Sequence, residues 1–250
     1  MNSQINPPEI SFDEGRHPRA KIGYIVLASE ETCEDDIFRL TPDGVGAHIN
    51  RIHASDEVSL DSAGQMKFAL KDSALQLLPD YAIDVICFAC SGAAMVLGEQ
   101  IVCDLLTEAR PDAKAVTVLG AAKRALQALE AQKVVVLTPY PKAFEKYVRG
   151  YLQDAGIEVL VYESMELERN EDISRVTPEY LYRRANKLND MDADAVFICC
   201  GALRSLEIIE QLEQKLNKPV VASNQAMMWD CLRQAGIEDR IKGYGKLFEL

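Results

Sequence analysis

The chain has 250 residues, enough for one large domain or two lobes of about 100 residues each. Its residues are 48% hydrophobic and 26% charged, as in a globular protein. The net charge of −12 excludes the broad basic surface that a nucleic-acid partner requires. No apolar run reaches the roughly 18 residues of a membrane span.

Residues 1–20 are polar and proline-rich and read as a flexible N-terminal arm. They carry no apolar signal-peptide core, and an arm of this kind suits contact with a neighbouring subunit of a homo-oligomer. Lys21 to Ala28, KIGYIVLA, reads as a buried strand. Further strands follow at Asp84 to Cys90, Ala115 to Gly120, Lys133 to Pro139, Ile157 to Met165, Asp194 to Cys200 and Lys218 to Asn224. These runs are rich in Val and Ile and lack strict polar alternation, as parallel strands buried on both faces do. Helical patterns lie between them, at Tyr140 to Gly156 and at Arg204 to Asn217 among others. Strand–helix alternation implies an α/β fold with crossover connections.

A weak internal repeat refines this. Lys21 and Lys133 each start an apolar strand. Asp84 precedes Cys90 by six residues, and Asp194 precedes Cys200 by six. The expected architecture is two similar Rossmann-like, flavodoxin-like lobes with parallel sheets, related by a pseudo-twofold axis. Residues 21–120 form the first lobe, joined by the segment 225–250, and residues 121–224 form the second. Cys90 and Cys200 then both end strands at the cleft between lobes, where open α/β sheets bind ligands.

Each cysteine is followed by small residues, in CSGAA and CGAL. Such turns put free backbone N–H groups and a helix start beside the thiol, which favours the thiolate. On this reading both thiols have depressed pKa values and share one proton. Gly92 and Gly201 would let the backbone approach a substrate carboxylate. The plainer alternative is that both cysteines are small buried hydrophobes. Cys87 and Cys90 match half of a metal or redox motif, but residues three apart in a strand point to opposite faces. The three histidines are all N-terminal and no second Cys/His pair is present, so no metal site is expected. Seven cysteines, two of them adjacent at 199 and 200, suit a reducing cytoplasm rather than a disulfide framework.

The segment DVICFACSGAAMVLGE resembles the first cysteine motif of the aspartate/glutamate racemase superfamily. The likeness is to the branch of maleate cis-trans isomerase, arylmalonate decarboxylase and the ectoine-utilisation racemase-like proteins. The segment ICCGALRSLEIIEQLEQKLNKPVVASNQAMMWDCLR resembles that branch's second motif. VVVLTPYPKAFEKYV and KIGYIVLASEETCEDDIFRLTPDGVGAHINRI resemble two further segments, so the likeness runs from about Lys21 to Gln234.

The resemblance implies that Cys90 and Cys200 are catalytic and that Tyr140 donates a hydrogen bond to a substrate carboxylate. It implies substrate contacts at Ser91, where the family often has threonine, and at Asn170, and with Gly92, Gly201 and Ala202 these make up the expected substrate-binding set. Glu30 stands where the maleate isomerase pattern has a substrate-contacting asparagine, and a carboxylate there would repel a dicarboxylate unless protonated. The decarboxylase type has glycine at the first cysteine position, whereas this chain has both thiols. The implied activity is cofactor-independent isomerisation of a small carboxylate or dicarboxylate, by cis–trans isomerisation or racemisation. The alternatives are decarboxylation or non-catalytic carboxylate binding on the same scaffold.

Overall fold

The computed structural model describes residues 10–188 and 192–250. Residues 1–9 of the expected N-terminal arm lie outside the described residues. Residues 10–19 are largely exposed, and Arg19 pairs with Asp239 at 2.5 Å just before the first strand.

The chain runs β1 (Ala20–Leu27), α1 (Cys33–Leu40), β2 (Val45–Ile52), α2 (Leu60–Gln65), α3 (Lys67–Gln76), β3 (Val85–Phe88), α4 (Ser91–Leu97), α5 (Glu99–Ala109) and β4 (Lys114–Thr117). It continues with α6 (Val118–Ala128), β5 (Lys133–Thr138), α7 (Glu145–Asp154), β6 (Glu158–Ser164), α8 (Asn170–Ser174) and α9 (Pro178–Leu188). The last part is β7 (Ala195–Ile198), α10 (Ile209–Leu216), β8 (Val220–Ala222) and α11 (Ser223–Gln234). The strands form two four-stranded sheets with the same order, β2-β1-β3-β4 and β6-β5-β7-β8. Every pairing is parallel. This is the doubled α/β architecture expected from the strand–helix alternation.

The repeat has a mechanical origin. The Asp84 carboxylate accepts the backbone N–H of Lys21 at 2.7 Å, and Asp194 accepts those of Gln132 and Lys133 at 2.9 and 2.8 Å. The Asp84 and Asp194 amides in turn donate to the carbonyls of Lys21 and Lys133. Each aspartate therefore starts one strand and sets its register against the neighbouring strand, in the same way in both sheets.

The first sheet is buried on both faces. Tyr24, Val26, Val85 and Cys87 face a core shared with the second sheet, while Ile25, Leu27, Ile86 and Phe88 face a second core under α3 and α5. Burying each such side chain contributes roughly 1.5–3 kcal/mol, so both faces of these strands select apolar residues.

The strand ends differ from the sequence reading by a few residues, most at two places, and one strand was missed. The strand expected over Ala115 to Gly120 stops at Thr117, whose hydroxyl caps α6 by accepting the Gly120 N–H at 3.0 Å. The strand expected over Lys218 to Asn224 stops at Ala222, where the Gln225 side chain accepts the Ala222 N–H and starts α11. β2 was not expected at all: as an edge strand it is half exposed, and its His48, Asn50 and Arg51 break the apolar run. The helical stretches at 140–156 and 204–217 each open with a short 3₁₀ turn, and Gly156 and Asn217 end them with positive φ. α11 leaves the second sheet and packs against α6, α1 and strands β3 and β4 of the first. Among the described residues no helix is long and apolar enough to cross a membrane.

Candidate active site

One cleft lies at the carboxyl ends of β1, β3, β5 and β7. It encloses about 470 Å³ of space unoccupied by protein, its open mouth included. Both cysteines line it. Cys90 follows β3 as the N-cap of α4, with its Sγ accepting the Ala93 N–H at 3.5 Å. Cys200 follows β7, but no helix begins behind it: Gly201 to Leu203 form a turn. Its own N–H donates to Ser223 Oγ at 3.0 Å. Ser223, the first residue of α11, also meets Ser91 Oγ at 3.3 Å, so one hydroxyl ties the two cysteine turns together.

The expected depression of both thiols is overturned. Burial pushes Cys90 up to about 11, and the Glu30 charge pushes the same way against the opposing amides of Ala93 and Gly92. Burial pushes Cys200 up to about 12, with the Tyr140 hydroxyl and the Ala202 amide pulling it down. The amides at these turns favour a thiolate as the sequence suggested, but desolvation in the cleft outweighs them. In the free protein both thiols are therefore protonated at neutral pH, rather than sharing one proton.

Tyr140 follows β5 through Pro139. It is 5% exposed, stacks on Phe144 with ring centroids 5.1 Å apart, and its hydroxyl acts on the Cys200 thiol across the cleft. Gly92 lies under this pair, but a Cβ there would meet only ordinary contacts at 3.6–3.8 Å. Gly201 is different: a Cβ would stand 2.7 Å from Asn224 Oδ1. The Asn224 amide donates to the Gly201 carbonyl at 2.7 Å and to buried Asp36 at 2.9 Å, and so holds the Cys200 turn from behind. Burial pushes the Asp36 carboxyl up to about 6 in spite of that bond.

Asn170 opens α8 and donates to Ser29 Oγ at 3.3 Å, across from the loop that carries Glu30. Ser91, Gly92, Ala202 and Glu30 also lie on the cleft wall, so all nine residues named from the sequence meet there. Sequence reasoning missed the wall formed by Val58, Ser59, Ser62, Ala63 and Met66. This short helix has no apolar stripe. Its signal is the reciprocal Ser59–Ser62 capping box, at 3.2 Å both ways. The segment reaches the second half of the molecule where Val58 N–H donates to the Glu168 carbonyl at 2.8 Å and Arg169 pairs with Asp56. Cys87, by contrast, is fully buried beside Cys231 and away from the cleft, and all seven cysteines are free thiols.

Comparison with known proteins places this arrangement. A maleate isomerase from Nocardia farcinica is 27% identical over 241 residues, covering 91% of this chain and 94% of that protein. The crystal structure of the maleate isomerase Iso from Pseudomonas putida S16 superposes with a TM-score of 0.86 at 27% identity, covering 92% of this chain and 98% of that one. A cysteine-to-serine mutant of the Nocardia farcinica maleate cis-trans isomerase, with a covalently bound succinylcysteine intermediate, superposes with a TM-score of 0.83 at 26% identity over 92% and 98% of the two chains. The profile of the arylmalonate decarboxylase family matches residues 98–248, which include Tyr140 and Cys200. That match spans more than half of the chain and covers the second sheet with α11, and this protein therefore belongs to the arylmalonate decarboxylase family.

Proposed function

We propose that the protein is a cofactor-independent cis–trans isomerase of a small unsaturated carboxylate, with Cys90 and Cys200 as its two working thiols. The observation that carries this reading is that both thiols, the Tyr140 hydroxyl and the amides of the Cys90 turn line one small cleft. The likeness to maleate isomerases over nine-tenths of the chain supports it.

Cys90 is the nucleophile. It caps a helix, with its Sγ accepting the Ala93 N–H, whereas no helix begins behind Cys200. The reacting form is the small fraction of protein in which Cys90 has lost its proton to solvent: its thiolate Sγ bonds to one alkene carbon while the π pair moves to the other carbon and on to the carboxylate. The carbon–carbon bond is then single and turns. The pair returns, the carbon–sulfur bond breaks, and the trans acid leaves with the thiolate restored. Backbone N–H groups at the cysteine turns stabilise the charge that develops on the carboxylate. The Cys200 thiol, oriented by Tyr140, lends a proton to the carbanionic carbon and takes it back before elimination. Electrons and protons balance over the cycle.

The test is steady-state turnover of cis-enoic acids by Cys90→Ser and Cys200→Ser, with mass spectrometry of the protein. Each variant should lose about 10³-fold or more in kcat, and Cys200→Ser should accumulate an adduct of one substrate molecule on Cys90. Full activity in either variant would refute the paired-thiol mechanism. The family match favours a second reading, decarboxylation by Cys200 alone, in which Cys90→Ser stays active on a malonate while Cys200→Ser is dead.

A further inference from the structure

Glu30 is a charged residue of the cleft that this mechanism does not use. It sits in the loop after β1, half-buried on the cleft wall. Its Oε1 accepts the N–H groups of Thr32 at 2.7 Å and Cys33 at 3.0 Å, the opening amides of α1. These bonds fix the carboxylate in place. The nearby Arg51 does not neutralise it with a hydrogen bond: its guanidinium goes to Glu34 and to the carbonyls of Leu27, Ala28 and Glu30. No lysine, arginine or histidine is among the described residues lining the cleft, and its other charged residue is Glu57, an exposed carboxylate. Glu30 acts electrostatically on both thiols, so a ligand between them lies within its field.

A substrate carboxylate can be held by the amides of the cysteine turns. A second carboxylate would meet Glu30 where no cation lines the cleft, Arg51 acting on Glu30 only from outside it, in a partly desolvated site where like charges repel strongly. A group that donates hydrogen bonds would instead complete Glu30. We propose that Glu30 is the specificity-determining residue, and that the substrate is a monocarboxylate whose far end is a hydrogen-bond donor, an amide or an ammonium group, rather than a dicarboxylate. For the reaction this rests on the isomerase reading; for binding it does not.

Calorimetric titration with saturated analogues tests it without turnover. Succinamate, or 4-aminobutyrate as the ammonium counterpart, should bind the wild-type protein at least tenfold more tightly than succinate, and the tighter of the two identifies the donor. In Glu30→Gln the preference over succinate should shrink at least tenfold. Equal or tighter binding of succinate by the wild type would overturn the proposal, and that comparison needs no variant to fold. Turnover separates the two readings. Wild-type isomerisation of the cis-butenedioic half-amide and diacid with equal efficiency, unchanged in Glu30→Gln, would remove Glu30's role and leave the isomerase standing. The expected binding preference with no turnover of either acid would do the reverse.

Discussion

At the scale of single residues, the site sets amide hydrogen bonds against desolvation. A thiol held near 11 is only about 10⁻⁴ thiolate at pH 7. Alkylation of Cys90 by iodoacetamide in the free protein should therefore rise about tenfold per pH unit from pH 7 to pH 10, and a plateau near pH 8 would contradict the burial argument. Tyr140 matters for the other thiol. Its hydroxyl lowers the pKa of Cys200 and is placed to donate to that sulfur once it is charged, so Tyr140→Phe should raise it further. A hydrogen bond to a charged group is worth about 1.5–3 kcal/mol, so kcat should fall roughly 10- to 100-fold. The variant should keep the wild-type circular dichroism spectrum, because the ring still packs on Phe144. Unchanged kinetics would remove Tyr140 from the mechanism.

At the scale of elements, the two sheets are started by equivalent aspartates, and the similarity can be measured. Asp84→Ala and Asp194→Ala each free backbone N–H groups at a strand start. Asp84→Ala should cost about 1 kcal/mol, the usual net value of one such bond, and Asp194→Ala, which loses two, up to about 2 kcal/mol, read as a lower urea midpoint. The double variant should lose close to the sum, because the sites lie in separate sheets with no shared partner. A loss in one variant only would mean that the two halves do not start their strands alike. Helix starts show why some boundaries escaped the sequence reading. Val118–Gly120 and Ser223–Asn224 are apolar or small enough to extend a strand, and only the caps at Thr117 and Gln225 turn the chain into a helix.

At the scale of the whole molecule, an ionic network joins the two halves away from the cleft. Glu99 of α5 accepts from Lys123 at 2.6 Å, Arg124 at 3.1 Å and Tyr151 of α7 at 2.5 Å. Arg124 in turn clamps Asp230 of α11 with bonds of 2.9 and 2.7 Å. A Cβ at Gly120 would stand 2.0 Å from Glu99 Oε1, so a larger residue there would push that carboxylate out of the network. Burial pushes the Glu99 carboxyl up, but Lys123, Tyr151 and Arg124 together hold it below its usual value. Its contribution to stability is therefore complete above the ordinary glutamate pKa and is lost as pH falls through the lower folded-state value. Asp230 is 1% exposed, so Asp230→Ala leaves a guanidinium without its main partner in a half-buried site. The cost should be about 3 kcal/mol in chemical denaturation, and much of it should return when Arg124→Met is added. No recovery in the double variant would mean that Asp230 acts through packing.

The sequence by itself determined the α/β class, the doubling into two similar lobes and the approach of Cys90 and Cys200 to one cleft. These follow from local rules: apolar runs without polar alternation make doubly buried strands, and Asp-to-Cys spacing repeated on matching strands carries both thiols to carboxyl ends. The edge strand β2 was illegible because half-exposed residues such as His48 and Arg51 satisfy no buried pattern. The α2 wall of the cleft was illegible because its contacts are made with distant segments, Val58 with Glu168 and Asp56 with Arg169. Tertiary structure alone decided the charge state of the thiols. Helix-start amides can be read from CSGAA, but the burial that outweighs them depends on how closely the two halves meet. It also decided the place of Glu30, whose anchoring by α1 and separation from any cation on the cleft wall depend on where Arg51 finds its partners.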